Sequence, residues 1–316
     1  MRVFITGLLS LVLGLGASAF VWLNTPMELG AAAVDLSIEP GSSSREAAEQ
    51  VRQAGVDVQP ALLYWMFRLT GQARQIKAGS YELEGDVTPW SLLGKLVRGE
   101  EAMRSVTLVE GWNFRQLRQA LKKADQLRLL TEGWSAAEIM QQLGKPGVPA
   151  EGRFFPDTYT YAKGSTDLAV LQRAARAMDK KLQAAWAQRL PNLPLRSAEE
   201  ALTLASIVEK ETGRPTDRTM IASVFCNRLR LGIRLQTDPT VIYGLGEGFD
   251  GNLRKADLLA DTPWNTYTRS GLPPTPIAMP GRAALLAAVQ PATSKALYFV
   301  ARGDGSSQFS NTLDEH

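Results

Sequence analysis

Histidine and cysteine are almost missing from this chain, with one of each in 316 residues. The histidine is the last residue, His316, which argues against a Ser-His-Asp or Cys-His triad and against a histidine-ligated zinc site. The cysteine, Cys226, lies in the apolar run IASVFCNRL. It reads there as a small core side chain, and alone it allows no intrachain disulfide. The chain also lacks a dense basic run, an internal repeat and a low-complexity tract. Its net charge of +3 and pI near 9.0 are spread thinly. Nucleic acid, which selects a clustered basic face, is not an expected partner. No metal and no cofactor is expected. Acid–base chemistry is left to Asp, Glu, Tyr and Lys, which favours carboxylate catalysis such as glycosidic bond cleavage.

What is present suits a folded protein of about two domains, with 45% apolar and 21% charged residues. Residues Val3–Leu23 carry no charge, and a bilayer-spanning helix needs roughly 20 residues. Arg2 precedes this run, and Glu28 is the first charge after it. That asymmetry puts the N-terminus in the cytoplasm and the rest outside. Ala17-Ser18-Ala19 matches the cleavage site of a signal peptide, the rival reading. The apolar run continues through Phe20-Val21-Trp22-Leu23, which favours an uncleaved anchor. Either reading exports the bulk of the chain, in a bacterium to the periplasm.

After a linker, Val34–Ile38 alternates as a strand, and Gly41-Ser-Ser-Ser leads into a helix at Arg45–Ala54. Pro60 opens a helix over Ala61–Leu69. Lys77-Ala-Gly-Ser-Tyr-Glu-Leu reads as turn plus strand, and Thr88-Pro89 starts a helix over Trp90–Arg98. This is a small α+β unit, and AGSYELEGDVTPWSLLGKLVRGE weakly resembles part of a LysM-type glycan-binding unit. Further on come a strand at Val106–Val109 and helices at Phe114–Ala124, Ile139–Leu143, Asp167–Arg189 and Arg218–Leu231. Capping boxes at Ser135–Glu138 and Ser197–Glu200 announce two helices. Leu297–Ala301 and Gln308–Ser310 read as a hairpin. The expected organisation is α+β throughout. An anchor and linker start occupy 1–27, a LysM-like subdomain 28–104, and a mixed α+β catalytic domain 105–316.

The helix LTLASIVEKETG carries the chemistry. Leu204, Ile207, Val208 and Glu211 fall at i, i+3, i+4 and i+7, so a glutamate ends an apolar face. Burial raises a carboxyl pKa towards the range of a general acid. The alternative for Glu211 is a structural ion pair with Arg214 or Arg218. Glu209 falls off that face and points to solvent or to a cleft wall. Gln236-Thr237-Asp238, Tyr243 and Asn265-Thr266-Tyr267 supply amide, hydroxyl and aromatic groups on stretches read as loops, which suits sugar recognition. Asp157, Asp238 and Asp261 also fit turns or helix caps.

ASIVEKETG, VFCNRLRLGIRLQTDPTVIYGLG, NTYTRSGLPPTPIAMPG and YFVARGDG closely resemble the YceG-like family of endolytic murein transglycosylases. KAGSYEL, VEGWNFRQL, EGRFFPDTY and the N-terminal run extend the resemblance over nearly the whole chain. The family's catalytic glutamate, the second of the EKE-T motif, falls on Glu211. Chains of the family usually run on past their final segment with a short helical tail, and this sequence stops at His316.

The resemblance implies a single-pass enzyme of the bacterial inner membrane, its catalytic domain in the periplasm. It implies endolytic cleavage of the β-1,4 bond between N-acetylmuramic acid and N-acetylglucosamine in nascent glycan strands. Products with 1,6-anhydro-muramyl ends and a role in terminating glycan elongation follow from it. Gln236, Asp238, Tyr243, Asn265 and Tyr267 are the expected substrate-binding residues. The implied partners are peptidoglycan strands, the inner membrane and, at family level, peptidoglycan synthases. Rival functions are a muramidase with Asp238 or Glu209 as base, and a non-catalytic glycan-binding scaffold. An aminodeoxychorismate lyase, a pyridoxal-phosphate enzyme, fits an exported chain poorly, and no lysine has a Schiff-base context.

Overall fold

A computed structural model describes residues 2–303 and 306–316, without the side chains of residues 2–6, 8 and 9. The protein is mixed α+β and forms two units, one of residues 1–104 with 160–165 and the other of 105–159 with 166–316.

The first unit begins with α1 (Arg2–Asn24). Its large apolar side chains Leu11, Val12, Leu13, Leu15, Phe20 and Val21 are exposed. Among the described residues no helix is long and apolar enough to cross a membrane. The expected span Val3–Leu23 coincides with α1, and part of it lies outside the described side chains. There follow β1 (Glu28–Leu29), β2 (Ala33–Ile38), α2 (Ser44–Gln53), β3 (Val56–Asp57), α3 (Pro60–Leu69), β4 (Gly79–Glu84) and α4 (Pro89–Arg98). Strand β2 pairs antiparallel with β4, Leu36 opposite Tyr81 and Val34 opposite Leu83. Alternation in β2 buries Val34, Leu36 and Ile38 and exposes the residues between them. Those three pack with Val51, Leu63 and Phe67 from α2 and α3. Capping boxes at Ser43/Glu46 and Thr88/Ser91 start α2 and α4, and Gly99 in the left-handed region ends α4.

The chain passes between the units along β5 (Met103–Thr107). This strand starts three residues before the expected one, and Leu108–Val109 fall outside it. In the second unit come α5 (Phe114–Lys123) and α6 (Ala136–Gln142), then β6 (Thr158–Ala162), which again crosses the unit boundary. The helices α7 (Asp167–Ala187), α8 (Ala198–Glu211) and α9 (Arg218–Arg230) follow.

The stretch from Gln236 to Tyr243, read as loop, contains α10 (Asp238–Leu245), and α11 (Lys255–Leu259) lies in a part given no expected element. Pro239 sits in the first turn of α10, where its missing N–H costs nothing, so Thr237-Asp238-Pro239 is a helix start. The chain ends with α12 (Arg282–Val289) and the hairpin of β7 (Tyr298–Ala301) and β8 (Ser307–Ser310). Tyr298 pairs with Ser310 and Ala301 with Ser307; Asp304 and Gly305 in its turn lie outside the described residues.

Helix α8 is the axis of the second unit. Its residues Ala201 to Val208 are all buried, the pattern of a helix surrounded by protein. Leu202, Leu204, Ile207 and Val208 pack with Ile221 and Phe225 of α9 and Leu285 and Ala288 of α12. Each such fully buried side chain contributes about 2 kcal/mol. The Ser206 hydroxyl, also fully buried, donates to Thr203 O (2.7 Å) and accepts the Ile277 N–H (3.0 Å). That pair of bonds ties the SGLPPTPIAMP segment to the helix carrying Glu211.

Candidate active site

Glu211 is the last residue of α8 and lies where the apolar face emerges from the core. Its carboxyl opens on a cavity of about 380 Å³. Glu211 is half-buried. Burial pushes its pKa up to about 7, the Thr237 hydrogen bond opposes the rise, and the negative charge of Asp238 adds to it. The carboxyl therefore exchanges its proton near neutrality.

The alternative reading, an ion pair of Glu211 with Arg214 or Arg218, does not form. Arg218 pairs with Glu209 at 3.5 Å, both side chains nearly buried. Glu209 also accepts the Gly281 N–H (2.8 Å) at the start of α12. Contrary to the expectation that it faces solvent or a cleft, Glu209 joins α8, α9 and α12. Its pKa is raised, chiefly by burial.

Thr237 was not singled out from the sequence. It occupies the N-cap position of α10, yet its hydroxyl makes no capping bond. It donates to Glu211 Oε1 instead. Thr237 is buried, and its N–H donates to Thr266 Oγ1 (3.1 Å). The Thr240 hydroxyl, 2.8 Å from Thr266 Oγ1, donates to Thr237 O (2.7 Å). Three buried threonines thus hold the group that touches Glu211.

Gln236, Asp238 and Tyr267 line the same cavity. Gln236 has a positive φ of 52°, a strained value for a residue with a side chain. Its amide oxygen accepts from Arg228 Nη1 (3.2 Å), and its N–H donates to Thr266 O (3.2 Å). The Tyr267 hydroxyl donates to Asp238 Oδ1 at 2.5 Å. Burial and the adjacent Asp238 push the Tyr267 pKa well up, so it remains a donor.

Arg228, also missed, is the clasp of this wall. It is buried and donates to the carbonyls of Leu297 (2.6 Å), Arg234 and Leu235 (both 3.0 Å). Its guanidinium lies 5.0 Å from the Tyr298 ring centroid. His316 stacks on the Tyr298 ring, 5.2 Å between centroids, and lines the cavity. The one histidine is therefore beside the candidate site, although its terminal position had argued against a role.

Two expected binding residues lie elsewhere. Asn265 is fully buried. Its amide donates to Ala260 O (2.7 Å) and Leu258 O (3.1 Å), and its oxygen accepts the Tyr267 N–H (2.8 Å). It closes the end of α11 and positions Tyr267, with no group left for a ligand. Tyr243 lines a second cavity and donates its hydroxyl to Glu151 Oε2 (3.1 Å). Asp261 is exposed and pairs with Arg269 at 2.9 Å, which holds its pKa down near 2. Cys226 is a buried free thiol of the core. Among the described residues no group of three or more His, Cys, Asp or Glu side chains is placed to hold a metal ion.

The arrangement can donate and accept one proton at Glu211, from a wall of fixed hydrogen-bonding groups. Known proteins place it in context. The Bacillus subtilis (strain 168) protein named endolytic murein transglycosylase is 31% identical over 302 residues, covering 90% of this chain and 82% of that one. The protein of the same name from Streptococcus pneumoniae serotype 2 (strain D39) is 28% identical over 318 residues. That match covers 90% of this chain and 57% of the pneumococcal one. A crystal structure at 2.6 Å of a putative YceG-like protein from Listeria monocytogenes superposes with a TM-score of 0.56 at 29% identity. It covers 90% of this chain and 98% of the Listeria chain. The YceG-like family pattern matches residues 36–316, and the chain belongs to that family.

Proposed function

We propose that this protein is a lytic transglycosylase of peptidoglycan with Glu211 as its single acid/base. The observation that carries the reading is a carboxyl at the end of a buried helix, open to a cavity and titrating near 7. The relatives' name, endolytic murein transglycosylase, supports the same class.

In this mechanism protonated Glu211 gives its proton to the glycosidic oxygen between N-acetylmuramic acid and N-acetylglucosamine. The C1–O bond breaks, and positive charge develops at C1 and the ring oxygen of the muramic acid. Glu211, now a carboxylate, takes the proton of that sugar's own C6 hydroxyl. The C6 oxygen bonds to C1 and closes a 1,6-anhydro ring. Water is not consumed, so no second carboxylate has to activate it, unlike an inverting hydrolase. The nucleophile is tethered, which removes the entropy cost of recruiting one. The Thr237 donor favours the carboxylate that appears during the step. Gln236, Asp238 and Tyr267 hold sugar hydroxyl and acetamide groups.

The proposal extends to place. The uncharged run Val3–Leu23, preceded by Arg2, anchors the protein in the bacterial inner membrane with the second unit in the periplasm. Cleavage there, within nascent strands, ends glycan elongation, beside peptidoglycan synthases. The first unit, two two-stranded antiparallel sheets with packed helices, serves as the LysM-like glycan-contacting part.

The test is mass spectrometry of muropeptides after incubation of purified peptidoglycan with the protein and with Glu211→Gln. Anhydro-muramyl products that vanish in the variant are expected. Reducing muramic acid ends point instead to a hydrolase using Asp238, and no products on nascent or mature glycan to a scaffold.

A further inference from the structure

Glu151, first residue of the EGRFFPDTY motif, has no part in the chemistry above. It is 8% exposed and forms no ion pair among the described residues, although Arg115 and Lys210 line the cavity it borders. Both carboxyl oxygens accept the Phe114 N–H (3.0 and 3.1 Å), and Oε2 accepts the Tyr243 hydroxyl (3.1 Å). Burial raises its pKa to about 7. The capping box at Asn113/Gln116 leaves the Phe114 N–H to Glu151, while the other side of the carboxyl meets Tyr243 at the cavity wall.

The surroundings of Glu151 are those of a ligand site. It lines a cavity of about 500 Å³ together with Asn113, Gln116, Lys210, Tyr243 and Trp264. Tyr243 and Trp264 meet edge to face with centroids 5.4 Å apart. The indole N–H donates to Thr275 Oγ1 (2.9 Å), which fixes the ring. Gly152 has φ +76°, and a Cβ there would meet Pro276 Cβ at 2.5 Å, so the loop presenting Glu151 is seated against one proline. Rigid aromatic faces beside amides and a carboxyl form a surface that stacks a sugar and bonds its hydroxyls.

This cavity and the Glu211 cavity share no lining residue, but chain neighbours line them at two places. Lys210 lines one and Glu211 the other; Pro239 lines one and Asp238 the other. Adjacent Cα atoms are about 3.8 Å apart, so both hollows have walls at the end of α8 and the start of α10.

We propose that the Glu151–Tyr243 cavity is a second sugar-binding site that continues the Glu211 cavity into one track for a glycan strand. The inference rests on the transglycosylase reading and adds to it a preference for long strands. Tyr243 and Trp264 stack a sugar several units along from the bond being cut, and Glu151 accepts its hydroxyl or acetamide protons. A strand long enough to fill both hollows gains binding energy that a short fragment lacks.

The test is calorimetric titration of full-length Glu211→Gln protein, which holds substrate without cutting it. The titrants are two-sugar and eight-sugar strands of alternating N-acetylglucosamine and N-acetylmuramic acid. The eight-sugar strand is expected to bind at least about tenfold tighter, and adding Glu151→Gln or Tyr243→Ala removes most of that gain. Tyr243→Ala removes a stacking face, leaves the Glu151–Phe114 bonds and keeps the test open if Glu151→Gln unfolds the start of α5. A gain that survives in folded variants, or affinity lost equally for both lengths, overturns the inference. So does an absence of any gain. Cleavage of bulk peptidoglycan by the wild-type chain separates the two readings. Cleavage with no length effect sinks only the second site; no cleavage sinks the transglycosylase.

Discussion

The Thr237 hydroxyl donates to Glu211 Oε1 in place of capping its own helix. An N-cap side chain contributes about 1 kcal/mol to its helix, and here that bond goes to the charged form of one carboxylate. The contact opposes the burial that raises the Glu211 pKa. Thr237→Val keeps the shape and removes the donor. The pKa of Glu211 then rises above about 7, and the alkaline limb of kcat/KM against pH moves up by about half a unit to one unit, as loss of about 1 kcal/mol requires. A limb that stays in place shows that Thr237 does not tune Glu211.

Stability should carry the sign of the same shift. Glu211 titrates near 7 in the folded chain against 4.5 in the unfolded one. Between those values the unfolded chain has released a proton that the folded chain keeps, so stability falls as pH rises through about 4.5 to 7. The loss is complete above 7. Glu211→Gln removes it. The variant should melt higher than wild type at pH 8, by about 2 kcal/mol once partial exposure is discounted. The difference should shrink towards pH 4. Parallel melting curves across that range contradict the assignment.

Arg228 holds three backbone carbonyls and the Gln236 amide oxygen from a buried position. Arg228→Met leaves those acceptors unmet and should cost about 3 kcal/mol of stability, read by denaturant unfolding. Arg228→Lys should not restore it. One ammonium lacks the planar fork that reaches Leu297 O on one side and Leu235 O on the other.

Asn265 tests the distinction between holding a sugar and holding the wall. With every amide atom engaged inside the protein, Asn265→Ala should lower stability by about 2 kcal/mol. Glycan should protect the surviving folded fraction against heat to the same fractional extent as wild type. Unchanged stability with lost glycan affinity would return Asn265 to the binding surface.

The elements legible in the sequence were those whose evidence is local. The i, i+3, i+4, i+7 face of α8 brought Glu211 forward, and the structure buries Leu204, Ile207 and Val208 beneath it. Serines marked the start of α2 and a capping box that of α6. At α8 Ser197 caps the Glu200 N–H, but Glu200 accepts from the Arg196 N–H, and the expected box is half formed. Helix α10 was hidden by its polar start and by Gly244 and Gly246, both common in loops. Side chains whose role depends on distant partners could not be read at all. Glu209 looks exposed on a helical wheel, but its N–H donor comes from Gly281, 72 residues away. Thr237 meets Glu211 across 26 residues and Glu151 meets Tyr243 across 92. The acidic residue amid the aromatics of EGRFFPDTY was the one available hint for Glu151, because burial next to rings is costly for a carboxylate.

The measurement that reaches the central claim most directly is cleavage of purified glycan strands in heavy-oxygen water, with wild type and Glu211→Gln side by side. The account predicts anhydro-muramyl ends without the isotope from wild type and no new ends from the variant. A reducing muramic acid end carrying one heavy oxygen, or undiminished cleavage by Glu211→Gln, would contradict it.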